Sequence, residues 1–198
     1  MILLRLGWWI KGWSEDFPYS PSDIQRNPAC LLWNGFSSPS IIPKSIVTLK
    51  EWIPPQNGAL KWNVDASVNI ASSSSAIGGV LRNCEGQFLC VFSSPIPFME
   101  INCAEILAIH HALKISVAND GSCSQVMIIE SDSMNAVAWC NNKGDGPWNM
   151  CHHLNFIRNI KKSFLNISII HKGRETNFVA NELAKQGLSR REEFIAWF

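Results

Sequence analysis

From residue 60, apolar and polar positions alternate: Leu60, Trp62 and Val64 are interleaved with Lys61, Asn63 and Asp65. A period of two predicts a strand with one apolar face. A polar turn follows at 72–75, and 76–82 and 87–93 read as two more strands. Asn83-Cys84-Glu85-Gly86 between them is a hairpin signal. The period then lengthens. Ala104, Leu107, Ala108 and either His111 or Ala112 share one face, predicting a helix over 101–119 that Asn119-Asp120-Gly121 ends. Residues 125–130 form an apolar, β-rich run expected as a buried strand, and 133–141 reads as a helix. After a loop at 143–147 come a helix at 149–162, a strand at 167–171 and a helix at 177–186, with Asn177 as its N-cap and Gly187 as its stop.

Three leading strands joined by tight turns imply an antiparallel meander, and the strand–helix alternation after them implies parallel additions. The expected fold is α/β, a mixed sheet of five strands with helices on its faces. Ligand sites on such sheets tend to lie near the ends of central strands.

Residues 1–55 break this regularity. They carry Trp8, Trp9, Trp13, Trp33 and Trp52, five prolines between Pro18 and Pro43, and Pro54-Pro55. Proline at that density interrupts helices and strands. A short amphipathic helix near 3–13 followed by irregular chain is expected. The tryptophans read either as a binding surface or as the remnant of a larger protein; the latter is favoured, because the segment cannot build its own core. The expected organisation is thus an extension over 1–55, a domain over 56–190 and a tail over 191–198.

Composition narrows the class. The 198 residues are 46% hydrophobic with a formal net charge of +1, which excludes whole-chain disorder and a strongly basic nucleic-acid binder. From residue 150 onward, however, 8 Lys and Arg face 4 Asp and Glu, so an anion-binding surface belongs toward that end. The 7 cysteines are odd in number, with no CxxC spacing, so reduced thiols in a cytoplasmic or nuclear protein are expected. No signal peptide or membrane span is read from the sequence, and the sequon at Asn166 reads as coincidence.

Three acids stand where the elements converge. Asp65 lies in the first strand, Glu105 early in the first helix, and Asp132 directly after the apolar strand. Carboxylates gathered from three elements repel one another unless a cation neutralises them. Hard oxygen ligands suit Mg²⁺ or Mn²⁺, and such ions activate water for phosphodiester cleavage.

Five ordered motifs then fall into line. They are Lys61-Trp62-Asn63-Val64-Asp65-Ala66-Ser67; Gly78-Gly79-Val80-Leu81-Arg82-Asn83 with Gly86; Ala104-Glu105-Ile106-Leu107-Ala108; Glu130-Ser131-Asp132-Ser133; and His171-Lys172-Gly173-Arg174-Glu175-Thr176-Asn177 with Val179-Ala180-Asn181-Glu182-Leu183-Ala184. Across about residues 52–188 the chain resembles the plant ribonuclease H-like domain, the reverse-transcriptase-like type 1 module of non-LTR retroelements. The resemblance implies a ribonuclease H-like fold and a two-metal endonuclease that cuts the RNA strand of an RNA/DNA hybrid. It makes Asp65 the bridge between two Mg²⁺ ions (or Mn²⁺), with Glu105 and Asp132 completing the first site and helping to hold the attacking water. The family's fourth acid falls on Asn181, so the second ion is expected to be weakly held and the rate lowered. Glu182 lies about 100° further round the helix and could replace it only with an altered helix start. Lys172, Arg174 and Asn177 are expected to contact nucleic acid, and His171 reads as a strand-end residue. A monomer with no small-molecule cofactor and no membrane partner is expected. The alternative is a retroelement-derived binding or interaction domain that has lost activity.

Other features have plainer readings. Gly78-Gly79 lacks the rest of a phosphate loop and implies close backbone approach, by a strand or a nucleic-acid backbone. His110-His111 and His152-His153 are adjacent pairs whose members point apart on a helix. Cys140 and Cys151 read as small buried apolar residues. Lys161, Lys162, Lys172, Arg174 and Lys185 read as a modest phosphate track or a solvated basic face.

Overall fold

A computed structural model describes residues 52–119, 125–164 and 166–198. The helix expected near 3–13, most of the Trp/Pro-rich extension, and Asp120 and Gly121 lie outside the described residues. The elements run β1 (Ala59–Asn69), β2 (Ser74–Arg82), β3 (Phe88–Ile96), α1 (Ile101–Ala118), β4 (Val126–Ser131), α2 (Met134–Cys140), α3 (Cys151–Ser163), β5 (Ile167–His171), α4 (Phe178–Gly187) and β6 (Phe194–Trp197). They form one sheet in the order β5-β4-β1-β2-β3-β6. β1, β2 and β3 pair antiparallel, while β4 joins β1 and β5 joins β4 in parallel.

The mixed sheet is the one expected, with a sixth strand. Phe194–Trp197 pairs antiparallel with β3 and so extends the sheet through what the sequence presents as a tail. Its four residues are all apolar and show no alternation, so nothing in the pattern marks a strand. Arg190 helps seat the segment: its Nε donates to Ser93 Oγ at 3.0 Å, and its guanidinium lies 4.7 Å from the Phe194 ring.

Trp62 and Val64 point into the core with Phe92, Ile106, Ile109, Leu113, Ile129 and Leu154, beneath α1 and α3. The Trp62 indole donates to Ser116 Oγ at 2.9 Å, which satisfies its one polar atom. The other face of β1 is not a solvated one. Lys61, Asn63 and Asp65 are buried as well, because α4 covers one end of that face and the Trp52 segment the other. Lys61 Nζ lies 2.8 Å from Glu130 Oε1 and donates to the Ile53 carbonyl at 2.8 Å. Asn63 donates to Glu130 Oε2 at 2.9 Å and accepts from Arg82 at 3.1 Å. The Arg82 guanidinium is flanked by the rings of Trp52 (4.7 Å) and Phe88 (4.8 Å).

α4 lies tight against β2. A Cβ on Gly78 would fall 2.3 Å from the Ala184 nitrogen, so the close approach foreseen at this glycine is made by a helix, not by a strand or a nucleic acid. Gly187 plays the same part from the helix side. It is the last helical residue, and a Cβ there would meet Ala76 Cβ at 2.6 Å, so packing, not helix termination, requires a glycine. Cys140 is buried as expected, whereas Cys151 opens α3 and is exposed. The adjacent histidines separate between surroundings. His110 packs edge-on against His153 across the α1–α3 contact, and His111 Nε2 lies 3.0 Å from Glu193 Oε1.

Candidate active site

The site lies where the parallel pair β1 and β4 parts. Their register ends at Asn63 and Glu130; β4 stops at Ser131, while β1 continues to Asn69. Asp65 and Asp132 each stand one strand period beyond that last pair. Ser133 N-caps α2, its Oγ accepting from the Ala136 amide at 3.2 Å, which turns the chain away directly after Asp132. Glu105 comes from the second turn of α1 and reaches across. Its Oε1 accepts from the Ala66 amide at 3.1 Å and its Oε2 from Ser131 Oγ at 3.2 Å, tying the two strand ends together.

Asp65, Glu105 and Asp132 are thereby brought into one cluster, each offering an oxygen within 4.8 Å of the others. Among the described residues this is the one group of acidic, imidazole or thiol side chains placed to hold a cation. Asp65 and Glu105 are 5% and 4% exposed. Burial first, and then the neighbouring Asp132 charge, push the Asp65 carboxyl up to about 8. Burial, then Asp65 and Asp132, raise Glu105 well above the ordinary carboxylate range. Two unit charges at 4.8 Å repel by roughly 3 kcal/mol at an effective dielectric near 20, so the cluster calls for a counter-cation.

The chain supplies part of that countercharge. Arg174 Nε donates to Asp132 Oδ2 at 2.9 Å from an otherwise exposed side chain. His171 Nε2 lies 3.1 Å from the Asp132 carbonyl oxygen, a strand-end contact that leaves the ring exposed. Asn177 N-caps α4 by position but not by side chain. Its amide instead donates to the Val64 carbonyl at 2.8 Å and to Asp65 Oδ1 at 3.3 Å. Only 3% of Asn177 is exposed, so it faces the carboxylates and offers little surface to a nucleic acid. One turn on, Asn181 also reaches Asp65. With its carboxamide nitrogen toward that residue, it donates to Oδ2 at 3.3 Å and accepts from Lys185 Nζ at 3.1 Å.

Lys172 is exposed beside the cluster, and its backbone amide continues from β5 to the Ser131 carbonyl at 3.0 Å. The basic track is partly spent within the protein: Lys161 bonds Asn141, Lys185 lies 2.8 Å from Glu182 Oε1, and Arg174 holds Asp132. Three participants escaped the sequence reading: Ser131, the inward use of Asn177, and Lys185 behind Asn181. Ser131 sits inside the Glu130-Ser131-Asp132 motif, and Lys185 stands one helical turn after Asn181, so spacing alone carried a signal for both.

A six-stranded mixed sheet, with β4 and β5 added in parallel beside an antiparallel β1-β2-β3-β6 run and acids at the parting of the parallel pair, defines a ribonuclease H-like fold. The reverse transcriptase-like family profile matches residues 63–187, and the chain belongs to that family. No curated protein matches it significantly. Among solved structures it is similar to LC11-RNase H1, isolated from compost by a metagenomic approach, at 21% identity and TM-score 0.60, covering 66% of this chain and 96% of that one. RNase H1 of the halophilic archaeon Halobacterium salinarum matches at 23% identity and TM-score 0.57, over 66% of this chain and 98% of that one. LC11-RNase H1 in complex with an RNA/DNA hybrid aligns at 21% identity and TM-score 0.59, over 65% and 96% of the two chains.

Proposed function

We propose that this chain is a divalent-metal-dependent endonuclease that hydrolyses the RNA strand of an RNA/DNA hybrid. The observation that carries the proposal is the convergence of Asp65, Glu105 and Asp132, from three separate elements, within 4.8 Å. The donor set is all oxygen, buried at Asp65 and Glu105 and mutually repulsive, which fits Mg²⁺ or Mn²⁺. The buried Asn177 Oδ1, without a hydrogen-bond partner, adds a further acceptor on a residue that touches Asp65. Asp65, Glu105 and Asp132 would hold the ion. When bound, it would supply Lewis-acid polarisation of the scissile phosphate and acidify a water.

The protein's own groups set the geometry. Glu105 fixes the ends of β1 and β4 so that the carboxylates converge, and Asn177 orients Asp65. Exposed Lys172 and Arg174 would contact the hybrid's backbone phosphates, which position an A-form-like duplex without reading its sequence. Retroelement descent, a plant source, a monomeric state and a reducing cytoplasmic or nuclear compartment complete this reading. Its supports are the motif order, the Trp/Pro-rich leader and five free cysteines among the described residues.

A labelled RNA/DNA hybrid incubated with Mg²⁺ or Mn²⁺, beside the Asp65→Asn variant, tests the activity. Cleavage by the natural chain and none by the variant is the expected result. A second reading, a nucleic-acid-binding domain without catalysis, is favoured by the carboxamide at Asn181 and the Arg174–Asp132 ion pair. It predicts hybrid binding with no cleavage by either protein.

A further inference from the structure

The charges around the acid cluster bear on how many ions it takes. With a cation bound, the three carboxylates would carry three negative charges, and Arg174 Nε offsets one of them at Asp132 from 2.9 Å. On the side toward α4, no further acid among the described residues joins Asp65 in the cluster. Glu182 is 2.8 Å from Lys185 Nζ, so that pair is locally neutral. Asn181 stands between Lys185 and Asp65, and its amide can satisfy both neighbours in one orientation only. Its oxygen accepts from Lys185 at 3.1 Å and its nitrogen donates to Asp65 Oδ2 at 3.3 Å. The reverse orientation would set oxygen against carboxylate and N–H against ammonium. What α4 presents to Asp65 is therefore a hydrogen-bond donor whose orientation Lys185 fixes. An amide NH₂ has no lone pair for a hard cation. The uncompensated charge is that of two carboxylates, which one divalent ion balances.

We propose that this centre holds a single divalent cation per chain, in the triangle of Asp65, Glu105 and Asp132, and that the Asn181–Lys185 pair serves as a fixed donor where a second ion would otherwise bind. The inference rests on the proposed metal-dependent function and specifies its stoichiometry.

Mn²⁺ added to the full chain at neutral pH, with bound ion counted from the lost EPR signal of free aquo-Mn²⁺, tests it. One ion per natural chain and two per Asn181→Asp chain is the expected pattern. Two ions in the natural chain, or one still in Asn181→Asp, overturns the inference and leaves the metal-dependent reading standing. No bound ion in the natural chain overturns that reading itself. Should Asn181→Asp not fold, as judged by circular dichroism, Lys185→Gln takes its place. That change frees the Asn181 amide to turn its oxygen toward the site and leaves Glu182 unpaired, so Mn²⁺ binding should tighten about threefold or a second ion enter. Unchanged affinity and count would overturn the role given to Lys185.

Discussion

Each residue at the centre answers a local electrostatic problem. Asp65 is buried against two other acids, so its negative charge costs the fold stability when no cation is present. Asp65→Asn should therefore melt about 3 °C higher than the natural chain in the presence of a chelator. Excess Mg²⁺ should raise the melting temperature of the natural chain and leave the variant where it was. A variant that melts lower in chelator would show that Asp65 is not repelled in the way its surroundings imply. The histidines carry the opposite dependence. Burial, aided by His153, lowers His110 from its ordinary 6.5 to about 4, and His111, Lys114 and His152 press in the same direction. The folded form thus resists a proton that the unfolded chain accepts. Stability is full above pH 6.5 and falls as the pH drops from 6.5 toward 4. Urea midpoints measured across that window should decline, and His110→Leu should flatten the decline.

At the scale of elements, the site depends on how closely α4 and β2 approach. Gly78→Ala would set a methyl 2.3 Å from the Ala184 nitrogen and 2.7 Å from the Ala180 carbonyl, both backbone atoms that cannot turn aside. A loss of about 2 kcal/mol is expected, together with weaker cation binding, because α4 carries Asn181 and follows directly from Asn177. Chemical denaturation and Mn²⁺ titration check the two halves separately. Beneath the acids, Lys61 and Glu130 hold β1 and β4 together from opposite sides of their pairing. Glu130→Gln would leave a buried ammonium facing a neutral amide, at a cost of roughly 3 kcal/mol, whereas Lys61→Met with Glu130→Leu should recover most of the loss. Denaturation midpoints of the single and double variants decide between an obligatory pair and an incidental one.

Across the whole molecule, what the sequence made legible follows from what a linear pattern encodes. Alternation at Leu60, Trp62 and Val64 located β1, and the 3.6-residue period located α1, because those periods are set by the backbone itself. Asp65, Glu105 and Asp132 could be named because motif order ties each to the end of an element. The pattern could not reveal what covers a polar face. Lys61, Asn63 and Asp65 read as the polar face of β1, yet α4 and Trp52 bury them, and that coverage comes from residues more than 100 positions away and from the preceding segment. β6 was missed for a related reason: its pairing depends on the open edge of β3, not on any signal within Phe194–Trp197. The same coverage limits the surface left for nucleic acid. With Lys161 and Lys185 already engaged, hybrid affinity should fall only shallowly with salt, with a log–log slope no steeper than about −3. Filter binding at several salt concentrations measures it.

The stacking of Trp52 over Arg82, and the reach of Lys61 to the Ile53 carbonyl, change where the folding unit starts. A chain shortened to begin at residue 56 would retain every β-strand among the described residues and all of Asp65, Glu105 and Asp132. It would also strip the lid from two buried cations and let water into the seam that spaces β1 from β4. Such a fragment should unfold at lower denaturant than one beginning before Trp52. The segment from Trp52 therefore acts as a wedge under the sheet that carries the acids.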